Sequence, residues 1–142
     1  MKPMNVGLLG IGTVGAGTFT VLSRNAEEIS RRAGRPRRIV AVAEKDVARA
    51  NEIIQGACRV VDDAFAVVSD PEVDIVIELI GGCGVAKELV LKAIANGKHV
   101  VTANKALLAM HGNEIFAEAQ KQGVMVAFEA AVAGGVPIVK AV

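Results

Sequence analysis

Two residue patterns could take part in chemistry, and each follows a short apolar run. The first is Gly10-Ile11-Gly12-Thr13-Val14-Gly15, which comes directly after the apolar residues 4–9. Glycines at this spacing permit a tight turn and let a pyrophosphate approach the backbone, and the N-terminus of a following helix favours a phosphate. The pattern therefore predicts a dinucleotide-binding turn, with an ordinary glycine-rich strand-to-helix turn as the structural alternative.

The second pattern is Thr102-Ala103-Asn104-Lys105, at the end of a predicted strand. A lysine beside a nicotinamide could orient a hydroxyl or carbonyl oxygen, or exchange its proton if burial or nearby cations lowered its pKa. A lysine that follows a strand is more often a surface charge. The predicted position of Lys105 in a ligand cleft favours the catalytic interpretation.

Glu44 and Lys45 follow the second predicted strand, where the adenosine ribose of a dinucleotide should lie. A carboxylate favours NAD because it accepts from the ribose 2′-OH, whereas a cation favours the 2′-phosphate of NADP. The sequence leaves this choice open. Asp46, the next residue, is also suited to capping a helix.

Gly81, Gly82 and Cys83 follow the fourth predicted strand, and the two glycines would let the backbone come close to a cofactor. The Cys83 thiol could instead attack an aldehyde, as in acylating dehydrogenases, but that chemistry needs a nearby base. Neither His99, at the opposite end of a strand, nor His111, near a helix interruption, is well placed. A small residue tolerated in a loop is therefore favoured for Cys83, and a core position for Cys58.

The composition indicates one globular domain. The chain has 142 residues, of which 52% are hydrophobic and only 3% aromatic, and this suits a parallel sheet covered by helices on both faces. A net charge of +1 gives no general case for nucleic acid or an anionic membrane. No apolar run is long enough to span a bilayer, no signal peptide is recognised, and the two cysteines suit reduced thiols in a cytoplasmic protein.

Strand and helix patterns alternate along the chain. Strands are predicted at residues 4–9, 39–43, 58–61, 74–80, 99–102 and 124–128, and helices at residues 13–32, 47–55, 85–96 and 106–122, the last interrupted near His111 and Gly112. A short helical turn through Val68 is predicted with Asp62 as its cap. This order predicts an α/β fold: a doubly wound parallel sheet of Rossmann type, with strand order 3-2-1-4-5-6 and three αβα layers.

Two polar features remain. The basic cluster between Arg31 and Arg38 is expected at the edge of the sheet away from the nucleotide, as a solvated loop. Glu78 lies within an apolar strand and needs either a partner or solvent, and the sequence does not identify that partner.

Three segments resemble homoserine dehydrogenase: residues 10–17, residues 100–108 (Val-Val-Thr-Ala-Asn-Lys-Ala-Leu-Leu) and residues 128–138 (Phe-Glu-Ala-Ala-Val-Ala-Gly-Gly-Val-Pro-Ile). The resemblance covers essentially the whole chain in the family's order. It implies an NAD(P)-dependent enzyme that interconverts L-aspartate 4-semialdehyde and L-homoserine, on the route to threonine, methionine and isoleucine. It also implies that Lys105 lies at the nicotinamide and the substrate.

The same resemblance implies a monovalent cation such as Na⁺, held mainly through oxygens at Glu129, Val132, Gly134 and Val136. It implies a nucleotide-binding domain at residues 1–135, and a connection to an absent substrate domain at residues 136–142. We therefore expect cofactor binding without turnover by residues 1–142, within a full enzyme that is a homodimer. The alternatives are an acylating semialdehyde dehydrogenase that uses Cys83, and a stand-alone nucleotide-sensing or CoA-binding module.

Overall fold

The computed structural model describes residues 4–10, 31, 34, 37–54, 58–80, 84–102 and 104–128. Its strands are β1 (Met4–Leu9), β2 (Arg37–Ala43), β3 (Arg59–Val61), β4 (Ile75–Glu78), β5 (His99–Thr102) and β6 (Val126–Phe128). The helices within these ranges are α1 (Val47–Ile54), α2 (Ala64–Val68), α3 (Gly84–Ala95) and α4 (Lys105–Gln122). The helix predicted at residues 13–32 lies outside the described residues, apart from Arg31.

All six strands pair in parallel, in the order β3-β2-β1-β4-β5-β6. The doubly wound architecture predicted from the alternation of strands and helices is thus confirmed. Strands β1 and β5 have the predicted bounds, while β4 and β6 are shorter at their ends than predicted.

The core lies on both faces of the sheet, because side chains of a strand alternate between its faces. On one face, helices α2, α3 and α4 pack through Val67, Leu89, Leu107 and Ile115, among others, against alternate strand residues. On the other face, Ala50 of α1 packs with Val6, Leu8, Val42, Ile75, Ile77 and Val101. These two clusters give the three αβα layers.

The predicted cap of α2 and the predicted interruption of α4 are wrong, and β2 begins at Arg37, within the predicted solvated loop. The cap of α2 is Asp63 rather than Asp62, because the Asp63 carboxylate accepts from the Phe65 amide at 2.9 Å. Helix α4 runs without interruption through His111 and Gly112. A glycine inside a helix costs only about 1 kcal/mol relative to alanine, and packing of the buried residues of α4 offsets that cost.

The loop between α2 and β4 is held by a buried lysine. Lys98 is 3% exposed, and its Nζ donates to the carbonyl oxygens of Asp70 and Val73, both at 2.7 Å. The Asp70 carboxylate in turn accepts from the Glu72 amide at 2.9 Å and from the Arg59 guanidinium at 2.8 Å. These bonds fix the crossover that carries the chain from one half of the sheet to the other.

No helix of the described ranges is both long and apolar enough to cross a membrane.

Replacement of Gly7 by alanine should destabilise the fold. A Cβ at this position would overlap Val67 Cγ1 and lie 3.3 Å from Val73 Cγ1, so the packing of β1 against α2 would have to shift. We expect Gly7→Ala to lower the free energy of unfolding by about 1–3 kcal/mol, measured by urea denaturation. The control is Gly84→Ala, where a Cβ meets nothing within 4 Å and stability should stay the same or rise. Equal stability of the two variants would contradict the close approach at Gly7.

Acid should destabilise the protein partly through Asp70. The Glu72 amide, followed by the Arg59 guanidinium, holds the pKa of the Asp70 carboxyl below its usual value of 3.8. The unfolded chain therefore binds the proton at higher pH than the folded chain, and the free energy of unfolding falls as the pH decreases through this interval. Asp70→Asn should make that decrease less steep in urea denaturation between about pH 5 and pH 3.

The matched control is Asp62→Asn, because Asp62 is an exposed carboxylate at the end of β3. It should retain the wild-type dependence on pH. An unchanged slope in Asp70→Asn would show that Asp70 is not a source of acid sensitivity.

Candidate active site at the carboxyl edge of the sheet

The last residues of all six strands form one row across the sheet. Val61 is paired with Ala43, Ala43 with Leu9, and Leu9 with Glu78, after which Glu78 is paired with Thr102 and Thr102 with Phe128. The segments that follow these residues therefore start side by side at one edge. In a doubly wound sheet this edge binds ligands, near the point where the strand order reverses between β1 and β4.

Gly10 begins the turn after β1, as the glycine pattern predicts. Its φ is +80°, in the left-handed region that favours glycine, and its amide donates to the Ala43 carbonyl at 2.6 Å. A Cβ on Gly10 would lie 3.2 Å from Ile80 Cγ1. Both the backbone angle and the close contact with Ile80 therefore favour glycine at this position.

Glu44 and Lys45 follow β2 next to the Gly10 turn. Glu44 is half-buried, its amide donates to the Val61 carbonyl at 2.9 Å, and its carboxylate accepts from the Asp46 amide at 3.2 Å. Lys45 is exposed. The turn thus fixes a carboxylate beside a cation at the end of β2, as the sequence predicts, and it leaves the choice between NAD and NADP open.

A chain of buried hydrogen bonds links the ends of β4 and β5. Glu78 and Thr102 are fully buried, and their side chains meet, since the Thr102 hydroxyl donates to Glu78 Oε1 at 2.6 Å. The other carboxyl oxygen, Oε2, accepts from the Ile80 amide at 2.8 Å. Thr102 Oγ1 also accepts from the Asn104 amide at 3.0 Å. The Thr102 hydroxyl and the Ile80 amide are thus partners of Glu78 that the sequence alone did not identify.

Asn104 continues this chain into helix α4. Its side-chain oxygen accepts from the Leu107 amide at 3.0 Å, which is the bonding pattern of a helix N-cap. Lys105 is then the first residue of α4, one residue earlier than the predicted helix, and its side chain is exposed. No ion pair joins it to another residue of the described ranges.

The structure therefore brings six of the predicted positions to one edge of the sheet, three on each side of Glu78. Gly10, Glu44 and Lys45 lie around the ends of β1 and β2, and Thr102, Asn104 and Lys105 lie at the end of β5, with Glu78 between the two groups. The sequence does contain a signal for the contact between Glu78 and Thr102. Each is a polar residue at the end of an apolar strand, and the two strands are neighbours in the predicted sheet.

The remaining predicted site residues lie outside the described residues. They are the cofactor positions Ile11, Gly12, Thr13, Val14, Gly15, Gly81, Gly82 and Ala103, the cation positions Glu129, Val132, Gly134 and Val136, and the alternative nucleophile Cys83. Over the described ranges, no group of three or more His, Cys, Asp or Glu side chains is arranged to hold a metal ion.

His99 and Cys58 have the structural roles predicted for them. His99 Nδ1 accepts from the Met125 amide at 3.0 Å, and burial lowers the pKa of its imidazole. Cys58 is half-buried against the core, and burial raises the pKa of its thiol, which makes the reactive thiolate less available.

A family model for the NAD-binding domain of homoserine dehydrogenase matches residues 10–129. The chain belongs to the homoserine dehydrogenase family. The homoserine dehydrogenase of Pseudomonas aeruginosa is 61% identical over 143 residues, which cover 100% of this chain and 32% of that protein. The Neisseria gonorrhoeae enzyme is 60% identical over 141 residues, which cover 99% of this chain and 32% of that protein.

A crystal structure of homoserine dehydrogenase from Thiobacillus denitrificans has the same fold, with a TM-score of 0.78 and 62% sequence identity. The similarity covers 92% of this chain and 30% of that one. The chain thus spans about a third of the length of its relatives in the homoserine dehydrogenase family. The family resemblance and the NAD-binding fold expected from the sequence are both confirmed.

Loss of the Thr102 hydroxyl should destabilise this domain of the homoserine dehydrogenase family. In Thr102→Val the Glu78 carboxyl and the Asn104 amide each lose a buried hydrogen-bond partner, while the side-chain volume is nearly unchanged. We expect the free energy of unfolding to fall by about 1–3 kcal/mol in urea denaturation. Thr102→Ser keeps the hydroxyl, so its free energy of unfolding should fall by less than that of Thr102→Val. A valine variant as stable as the serine variant would mean that these bonds contribute nothing.

Proposed function

We propose that this chain binds the dinucleotide in an NAD(P)-dependent homoserine dehydrogenase, and that the whole enzyme interconverts L-aspartate 4-semialdehyde and L-homoserine. That reaction lies on the route to threonine, methionine and isoleucine. The observation that carries the proposal is the match of residues 10–129 to the family's NAD-binding domain. The shared edge at which β1, β2, β4 and β5 end supports it, because this is where doubly wound sheets bind ligands.

The described residues fit a dinucleotide. At Gly10 the positive φ and the approach of Ile80 disfavour a side chain, which suits a tight turn before a bound pyrophosphate. Glu44, beside this turn, would accept a hydrogen bond from the adenosine ribose, and Lys45 would favour a 2′-phosphate. We propose NAD(P) as the cofactor without a preference between its two forms.

The other proposed cofactor positions come from the segments that follow β1, β4 and β5 in the sequence. We propose that Ile11, Gly12, Thr13, Val14 and Gly15 contact the dinucleotide phosphates, and that Gly81, Gly82, Ala103 and Asn104 line the nicotinamide side. We also assign Thr102 to the nicotinamide side. It would contribute through its backbone and through its buried hydroxyl, which bonds to Glu78 and Asn104.

We propose that Lys105 binds the reacting oxygen of the substrate. A bound dinucleotide supplies the redox chemistry, since its nicotinamide C4 gives or takes the hydride. The Lys105 ammonium would donate a hydrogen bond to the aldehyde or alcohol oxygen of the substrate. A cation at that point stabilises the negative charge that develops on the oxygen as the aldehyde is reduced. The position of Lys105 as the first residue of α4, next to the buried cap Asn104, supports this role.

A monovalent cation site is a further part of the proposal. We propose that Glu129, Val132, Gly134 and Val136 hold Na⁺ through one carboxylate and backbone carbonyl oxygens, which are hard ligands that suit such a cation. We also propose that residues 1–135 form the nucleotide-binding domain, that residues 136–142 lead to a substrate domain, and that the enzyme is a cytoplasmic homodimer.

The homoserine dehydrogenase relatives favour hydride transfer without a covalent intermediate over the acylating alternative at Cys83. The same relatives also argue against a nucleotide sensor or a CoA-binding module.

Removal of the Lys105 ammonium should abolish most turnover while cofactor binding persists. In the full-length enzyme, we expect Lys105→Ala to lower kcat for homoserine oxidation by about 10²–10⁴-fold, because the substrate oxygen loses its cation. Titrations that follow NADH or NADPH fluorescence should show little change in Kd. The same titrations of the wild type would determine which dinucleotide is preferred.

Lys92→Ala is the matched control, since Lys92 is an exposed lysine of α3 away from the proposed site. Cys83→Ser distinguishes the two chemistries, because it should retain activity under hydride transfer and abolish it under the acylating mechanism. Absence of homoserine oxidation in the wild-type enzyme would refute the proposed activity. A Lys105→Ala enzyme with normal kcat would refute only the role of this lysine.

A further inference from the structure

Glu78 is an unusual residue to find inside this sheet. A buried carboxyl group is costly unless its oxygens have hydrogen-bond partners. Four polar or charged side chains are buried within the described ranges, and three of them, Glu78, Thr102 and Asn104, form one chain of hydrogen bonds. The fourth is Lys98, at the other edge of the sheet. The buried polarity thus converges on the proposed site.

One oxygen of Glu78 controls the segment after β4. Its Oε2 accepts from the Ile80 amide at 2.8 Å, while the Leu79 amide donates to the Leu9 carbonyl at 2.9 Å. Ile80 is the residue that packs against Gly10. This branch therefore connects the carboxyl group to the turn that the proposed pyrophosphate site requires.

The other oxygen controls the segment after β5. Glu78 Oε1 accepts from the Thr102 hydroxyl, whose oxygen accepts from the Asn104 amide. The Asn104 side chain then caps α4 at the Leu107 amide. Because Lys105 lies between the cap and that amide, the second branch fixes the backbone from which the Lys105 side chain extends.

We propose that Glu78 is a positioning residue for hydride transfer. It holds the Gly10 turn through Ile80 and the start of α4 through Thr102, and so sets the distance between the bound dinucleotide and the Lys105 ammonium. This inference rests on the proposed function of the chain. Glu78 is buried, so it acts on the reaction through these neighbours rather than by touching the substrate.

The variant Glu78→Gln tests this role in the full-length enzyme. The amide has the same shape but only one accepting oxygen, so the Thr102 hydroxyl and the Ile80 amide no longer each have an oxygen of their own to donate to. We expect kcat for homoserine oxidation to fall by about 10- to 100-fold, because small displacements of reacting groups cost this much. Fluorescence titration should also show weaker NADPH binding, through the Ile80 branch.

A second variant, Thr102→Val, separates the two branches. It removes the bonds of the Thr102 hydroxyl to Glu78 and Asn104 and keeps the bond from the Ile80 amide to Glu78. We therefore expect kcat to fall, while the Kd for NADPH should change less than it does in Glu78→Gln. A double-mutant cycle, in which each substitution is also combined with Lys105→Ala, provides the decisive comparison of kcat values. If Glu78 and Thr102 act through Lys105, neither substitution should lower kcat much further in the Lys105→Ala background.

Glu88→Gln, on the exposed side of α3, is the matched control and should keep wild-type kinetics. Thermal unfolding of each variant, followed by circular dichroism, establishes that it is folded at the assay temperature. A folded Glu78→Gln or Thr102→Val enzyme with wild-type kcat would overturn the inference. So would a double variant whose fold-decrease in kcat equals the product of the decreases in Lys105→Ala and in the other single variant. If Glu78→Gln fails to fold, the kcat of Thr102→Val decides whether the inference holds. A wild-type enzyme without homoserine oxidation would instead overturn the proposed function.

Discussion

The parallel alignment of six strands is the constraint on which the rest of the structure depends. Each crossover returns the chain to the same edge, so every strand delivers its following segment to one side of the sheet. Leu9, Glu78 and Thr102, which are far apart in the sequence, become neighbours in a single row. The helices on both faces bury the apolar residues of the central strands, and the polar residues Glu78 and Thr102 end β4 and β5.

Much of this fold could be predicted from the sequence, because its signals are local. Strand β1 ends at a glycine with positive φ, and β5 follows the glycine that ends α3, so both strands have clear limits. Gly97 and Gly123 mark helix ends in the structure with φ values of 78° and 72°, as glycine C-caps predict. The strand order then follows from the alternation of strands and helices.

Other features depend on contacts that no local pattern contains. The partner of Glu78 lies 24 residues away, and it is identified only when the register of β4 and β5 is known. Asp62 and Asp63 are both residue types that cap helices, and only the structure shows that the Asp63 carboxylate accepts from the Phe65 amide. Gly112 is buried within α4, where tertiary packing overrides a weak helix preference. The cation site and most of the glycine turn remain predictions from the sequence.

The position of β1 in the sheet also affects how the chain assembles during synthesis. Its partner on one side, β2, is close behind it, but Val6 pairs on the other side with Ile75. A nascent chain can therefore build the β1–β2–β3 half before the second half has left the ribosome, and one edge of β1 stays unpaired in that interval. Pairing β1 with β4 closes a longer chain loop than pairing β1 with β2, so the central seam carries the larger loop-closure cost in folding.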